Sequence, residues 1–117
     1  MWDLTGKRYI DCQTGSGIMN VGRRNREIVE ALKEALDHYD IGVFLLCSKP
    51  KADLAKKLAE ITPGDLKCSI FGIRGGEAVD AAIKIARGYT MKKEIIYAEK
   101  AYHGHTGFAL SAIGRSA

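Results

Sequence analysis

The chain has 117 residues, enough for one small domain, and its composition of 46% hydrophobic and 27% charged residues excludes a disordered or fibrous protein. No apolar run reaches the roughly 18 residues that would span a bilayer, and the N-terminus lacks the order of a secretion signal, so a cytoplasmic protein is predicted. The net charge of +4 comes from lysines and arginines spread along the chain, without a nucleic-acid-binding motif, which argues against a nucleic-acid partner.

The first forty residues predict a strand, a glycine-rich loop and a helix. Residues 7–13, KRYIDCQ, read as a short strand that follows a turn. The segment TGSGIMNVG holds three glycines and predicts an irregular loop. Residues 25–38 place their apolar side chains on one helical face, and Asn25 suits the N-cap of that helix.

The rest of the chain predicts alternating helices and strands. An apolar run of ambiguous type, residues 43–47, precedes a helix that opens at Pro50 and stops before Pro63-Gly64. A strand at 67–72, a helix at 78–89 and a strand at 94–99 then make a βαβ unit, which predicts an α/β fold with a parallel sheet. An apolar, helix-like segment follows. Two parallel strands leave open edges, so this unit looks like part of a larger sheet.

The three cysteines carry no spacing that indicates a metal or redox site. Cys12, Cys47 and Cys68 are far apart in the sequence, and their number is odd. We therefore predict buried, free thiols in a reducing compartment.

Gly75 and Gly76 stand where the predicted strand 67–72 leads into a helix. The N-terminus of such a helix offers free amides and the positive end of a dipole, and glycines let a phosphate come close to those amides. The stretch GIRGGE matches neither the Walker pattern nor the dinucleotide fingerprint. The spacing alone therefore leaves two interpretations open, a phosphate-binding loop and a tight turn with close packing.

A second group of candidate residues, in AYHGHTG, follows the strand 94–99. The βαβ order brings Tyr102, His103 and His105 to the same edge of the sheet as the glycine pair. An aromatic ring there would stack on a flat ligand. The two histidines have no evident third partner, so no metal site is predicted, and ordinary polar loop residues are the alternative.

Three ordered segments resemble the class III aminotransferases, which use pyridoxal phosphate. They are GKRYIDCQTGSGIMNVGRRNREIVEALKEAL, GEAVDAAIKIAR and IIYAEKAYHGHTGFALSAIG. The resemblance implies a fragment of the fold-type I fold of pyridoxal-phosphate-dependent transferases. Residues 1–40 would be the N-terminal segment of the small domain. Residues 41–117 would begin the large, cofactor-binding domain, including its βαβ unit.

The resemblance also implies cofactor-binding roles. Gly75 and Gly76 match the loop that holds the cofactor phosphate, Tyr102 matches the aromatic residue that stacks on the pyridine ring, and His103 belongs to the same motif. Family members are dimers with active sites at the subunit interface, so a homo-oligomer is expected. Two departures stand out: Gly76 replaces a small hydroxyl residue, and Arg23 follows Gly22 where the family has histidine.

The activity implied is transfer of an amino group from an amino donor to a 2-oxo acid. The lysine that forms the Schiff base and the aspartate that keeps the pyridine nitrogen protonated have no counterpart in these motifs. No residue is therefore assigned a catalytic role, and the isolated chain is predicted to be inactive. The alternative is a non-catalytic module derived from that fold, which binds a phosphate-bearing ligand or self-associates.

Overall fold

A computed structural model describes residues 1–39 and 46–114, which belong to two compact units, Met1–Ser48 and Lys49–Ala117. Within these residues the regular structure is helical, and the one β-type pairing is an isolated antiparallel bridge between Trp2 and Arg8. The predicted strands at 7–13, 67–72 and 94–99 form no ladder. A strand needs a neighbour with which to exchange backbone hydrogen bonds. Residues 7–9 exchange such bonds only with residues 1–3, and the segments 67–72 and 94–99 pair with no strand among the described residues. The predicted parallel sheet is therefore not formed, and residues 43–45 of the predicted apolar run lie outside the described residues.

The predicted glycine-rich loop contains a left-handed turn, Thr14–Gly17. All four residues have positive φ, including Thr14 at 53° and Ser16 at 60°. Asp11 stabilises the start of this turn: its carboxylate accepts hydrogen bonds from the amides of Gln13 at 3.1 Å and Thr14 at 3.0 Å. Because such φ values are costly for non-glycine residues, these bonds to Asp11 help to stabilise the turn.

Helix α1, Arg26–His38, confirms the predicted helix and its cap. The Asn25 side chain accepts hydrogen bonds from the amides of Glu27 and Ile28, at 3.0 and 3.2 Å. The apolar face remains uncovered: Leu32 is 59% exposed and Leu36 is 80% exposed.

Helix α2, Lys49–Ile61, confirms the second predicted helix. Pro50 lies in its first turn, where a missing amide hydrogen costs nothing. Beyond the last turn Gly64 has a φ of +67°, and the Lys67 ammonium donates to the carbonyl of Ala59 at 2.9 Å. The chain thus leaves the helix with one of its free terminal carbonyls satisfied.

Helices α3, Gly75–Thr90, and α4, Gly107–Ser111, pack against each other and contain most of the core. The buried hydrophobic residues in the described part of the chain are Ile83, Ala109 and Ala112. The Arg87 guanidinium also lies 4.8 Å from the centre of the Phe108 ring. Helix α3 begins three residues earlier than the sequence predicted, so the two glycines form its first turn.

The cysteine prediction is wrong in one respect. Cys12, Cys47 and Cys68 are free thiols, but all three are exposed. Each lies in a segment without a packed neighbouring element, so the apolar character of the thiol is not enough to bury it.

Candidate functional site

A cavity of about 490 Å³ in the unit Lys49–Ala117 brings the predicted site residues together. One wall is the start of α3, with Arg74, Gly75, Gly76 and Val79. The opposite wall is the loop 102–106, which leads into α4. The cavity is lined by all four residues that the resemblance assigned to cofactor binding, Gly75, Gly76, Tyr102 and His103, and by the further candidate His105.

The first turn of α3 presents unpaired amides to the cavity. The first helical hydrogen bond runs from the Ala78 amide to the carbonyl of Arg74, at 3.2 Å. The amides of Gly75, Gly76 and Glu77 therefore have no hydrogen-bond partner among the described residues. The Arg74 side chain does not cap the helix, and the Glu77 carboxylate instead accepts a bond from the Ile73 amide at 2.8 Å. Free amides, the helix dipole and the Arg74 cation give this end an attraction for anions.

The two glycines have different surroundings. A Cβ placed on Gly75 would meet no atom within 4 Å, so a ligand has room to approach its amide. Gly76 is buried, and a Cβ placed on Gly104, whose φ is +125°, would lie 2.6 Å from the Gly76 Cα. The backbone of the loop 102–106 thus crosses directly over the helix at Gly76. The open space at Gly75 fits the phosphate-binding interpretation. The close contacts of Gly76 fit the close-packing interpretation as well.

The Thr106 hydroxyl occupies the space where residue 76 would carry a side chain. Its Oγ1 lies 2.8 Å from the position of a Cβ on Gly76. This oxygen is buried and has no hydrogen-bond partner within the described residues. An unsatisfied buried hydroxyl costs about 1–3 kcal/mol, so a polar ligand that reached it would gain that interaction.

The Tyr102 side chain is held at its polar end. Its hydroxyl shares a 3.0 Å hydrogen bond with His105 Nδ1, and the two rings meet edge-on, with centroids 5.2 Å apart and planes at 65°. The tyrosine is 68% exposed, so its ring face is free to stack on a flat ligand. His103 is half-buried in the same wall. No group of three His, Cys, Asp or Glu side chains within residues 1–39 and 46–114 is arranged to hold a metal ion.

Two carboxyls of the unit Met1–Ser48, those of Asp3 and Asp11, have a pKa lowered by their hydrogen-bond partners. The Arg23 guanidinium, 2.9 Å from Asp11, holds the pKa of that carboxyl below its ordinary value, and the amides of Thr14 and Gln13 lower it further. The Thr5 hydroxyl and the Lys7 amide are the main causes of a lowered pKa at Asp3.

Sequence reasoning missed Thr106 and Asp80. Asp80 accepts a 2.8 Å hydrogen bond from the Ala109 amide, across 29 residues of sequence. Thr106 meets Gly76 across a similar separation. Neither contact leaves a local pattern, because the residues that meet belong to two segments that come together only in the fold.

Comparisons with known proteins point to one family. The family profile described as "Aminotransferase class-III" matches residues 1–117. An "Uncharacterized aminotransferase" of Archaeoglobus fulgidus is 56% identical, over 95% of this chain and 26% of that protein. Putrescine aminotransferase of Pectobacterium atrosepticum is 40% identical, over 98% of this chain and 25% of that protein. The chain thus spans about a quarter of the length of the curated relatives that it matches.

Solved structures agree with the sequence comparisons. An S-selective transaminase from Arthrobacter sp. matches with a TM-score of 0.84 and 33% identity, over 96% of this chain and 25% of that one. The same enzyme with alanine bound matches with a TM-score of 0.82 and 31% identity. The likeness places the fold with the transaminases, although the described residues form no sheet.

Proposed function

Since the chain belongs to the class-III aminotransferase family, we propose that it is the cofactor-anchoring part of a pyridoxal-phosphate-dependent enzyme that transfers an amino group from an amino donor to a 2-oxo acid. One observation carries the proposal. The cavity between α3 and the loop 102–106 combines an anion-binding helix end with an aromatic ring whose face is free.

The residues present fit the phosphate group of the cofactor. The amides of Gly75 and Gly76 would bind its oxygens, and the Arg74 guanidinium would add a positive charge. The unpartnered Thr106 hydroxyl supports this fit, because it lies where the family usually places a hydroxyl on residue 76. A bound phosphate that reached this hydroxyl would gain a donor from the facing loop in place of the side chain that Gly76 lacks.

The other wall fits the ring. Tyr102 would stack on the pyridine ring, with His105 fixing its orientation through the hydroxyl, and His103 would close the wall beside it. The bound cofactor supplies an electron-withdrawing ring, which stabilises negative charge on the substrate carbon. The residues of this chain would hold that ring and shield one side of it from water.

We propose further that this chain alone does not catalyse the transfer. The reaction needs a reactive lysine and a partner for the pyridine nitrogen, and the described residues that line the cavity include no lysine and no aspartate. Lys84 lies exposed on α3 and does not line the cavity. We propose that these groups come from the part of a family member that this chain does not span.

Titration with pyridoxal phosphate, followed by absorbance, tests the proposal. We expect saturable binding, weaker binding by Gly75→Ala, and unchanged binding by Gly88→Ala, a matched control on the same helix with equally open space. Reduction with borohydride followed by peptide mass analysis should find no specific lysine adduct. Absent saturation, or equal effects of both variants, would contradict the anchoring role. Turnover of an amine with pyruvate or 2-oxoglutarate would contradict the predicted inactivity.

A second candidate is a non-catalytic module that binds phosphate-bearing ligands or self-associates. The exposed apolar residues of α1 favour the self-associating form of this alternative. The same titration separates the two candidates. Two results together would favour the non-catalytic module: inorganic phosphate binds as tightly as pyridoxal phosphate and displaces it, and the absorbance of pyridoxal phosphate does not change when it binds.

A further inference from the structure

Helix α4 lacks a cap from its own sequence. Thr106 is the N-cap residue, a position where threonine commonly accepts a bond from an amide two or three residues on. Its hydroxyl makes no such bond here, because it lies against Gly76 instead. A five-residue helix without a cap is unstable in isolation.

Asp80 of α3 supplies the missing cap from outside. Its Oδ1 accepts a 2.8 Å hydrogen bond from the Ala109 amide, which is the third residue of α4. This is the bond that an N-cap side chain would make. Asp80 lies one helical turn beyond Gly76, so the two residues share the face of α3 that meets the loop and α4.

We infer that Asp80 is a positioning residue for the cavity, a role that goes beyond anchoring by the residues that line it and rests on the proposed function. By capping α4, Asp80 fixes the Thr106 end of the loop 102–106, which carries Tyr102 at its other end. The loop is then held at two points of α3, at Gly76 through the backbone of Gly104 and at Asp80 through the Ala109 amide. Tyr102 is thereby kept opposite the amides of Gly75 and Gly76.

Hydrogen–deuterium exchange of the segments 101–106 and 107–113 tests the cap directly. We expect Asp80→Ala to accelerate exchange of 107–113 by about 2- to 30-fold, the factor that corresponds to loss of an N-cap. Asp80→Asn keeps an acceptor oxygen and should restore slow exchange. Asp65→Ala, which removes an exposed carboxylate of the same unit, should leave exchange unchanged. Unchanged exchange in Asp80→Ala would overturn the inference.

Affinity for pyridoxal phosphate tests the positioning role. Affinity for pyridoxal phosphate should fall in Asp80→Ala, by at most about 30-fold, because only the docked loop completes the cavity. It should recover in Asp80→Asn, which keeps the acceptor oxygen. Ile83→Ala removes a buried side chain of α3 but keeps the cap, and it should weaken binding less than Asp80→Ala at comparable stability. An equal or larger effect of Ile83→Ala would assign Asp80 a merely structural role and overturn the inference. A wild-type protein that binds no pyridoxal phosphate would refute the proposed function, and the exchange data would still decide the cap.

Discussion

A methyl group added at Gly75 would meet no atom within 4 Å, whereas one added at Gly76 would lie 2.8 Å from the Thr106 hydroxyl. We therefore expect Gly75→Ala to leave stability unchanged or slightly raised, because alanine favours helices. Gly76→Ala should cost about 1–3 kcal/mol by overpacking. Urea unfolding of the two variants measures the difference, with Gly88→Ala as the control for helix propensity. Equal stability of the two variants would contradict the close packing at Gly76.

From the sequence, the glycine pair could form a phosphate-binding loop or a closely packed turn. The sequence did not show which of these roles belongs to Gly75 and which to Gly76. The division depends on Gly104 and Thr106, which lie about thirty residues further along the chain. Local spacing predicted that a ligand or a backbone segment approaches these glycines. The fold shows that the backbone of Gly104 contacts Gly76, whereas the space beside Gly75 is open. The four predicted site residues do line one cavity, and their role in binding stays a proposal.

The ion pair between Arg23 and Asp11 makes the stability of the unit Met1–Ser48 depend on pH. The pKa of Asp11 lies below its ordinary value of 3.8, first because of the Arg23 side-chain hydrogen bond and then because of two backbone amides. A carboxyl with a lowered pKa stabilises the fold above its unfolded pKa, and this contribution is lost as pH falls through the folded pKa. The unit Met1–Ser48 should therefore lose this stabilisation only below about pH 4.

Removal of the guanidinium should raise the pKa of Asp11. We expect Arg23→Met to move it toward 3.8 without reaching it, because the amides of Thr14 and Gln13 still donate. A carboxyl-carbon NMR titration measures the shift, and Asp3, whose partners are Thr5, Lys7 and Tyr9, serves as the internal control. An unchanged titration of Asp11 would show that the ion pair does not form in solution.

Among the elements, helices α1 and α2 were predictable because their signals are local. Asn25, Pro50 and the Pro63-Gly64 pair mark boundaries through bonds and torsions within a few residues. The sequence placed the start of α3 at residue 78, three residues after its observed start at Gly75, because glycine has a low helix propensity. Glycine occurs in this first turn because the backbone of Gly104 packs closely on Gly76. The strands could not be placed from sequence, since a ladder depends on a partner strand that the pattern of one segment does not specify.

The Asn25 cap allows a direct test of this local determination. Asn25→Ala should cost about 1 kcal/mol, because the amides of Glu27 and Ile28 lose their acceptor. Asn25→Asp should keep most of the stability, since a carboxylate accepts the same bonds and complements the helix dipole. Exchange of the first turn of α1, compared between the two variants, gives the answer. Equal exchange in both would mean that α1 is fixed by packing and not by its cap.

At the scale of the whole molecule, both units leave apolar side chains uncovered. Among the residues described, large apolar side chains are exposed in both units, including Leu36 at 80%, Ile73 at 92% and Ile96 at 99%. In the described part of the chain, no helix is both long and apolar enough to cross a membrane.

This exposed apolar surface predicts that the 117-residue chain, produced alone, binds a hydrophobic dye or associates with itself. Apolar patches beyond a few hundred Å² are rare on monomers and indicate a surface that another polypeptide covers. The chain spans a quarter of the relatives it matches, so we expect the remaining segments of a family member to be that cover. Sedimentation and ANS fluorescence of the 117-residue chain, compared with a version extended to the relatives' full length, measure the difference. The extended protein should lose most of the dye binding, because its added segments bury the exposed faces. A chain that stays monomeric at tens of micromolar, binds no dye and unfolds in one sharp transition would contradict the prediction, since its own core would then suffice.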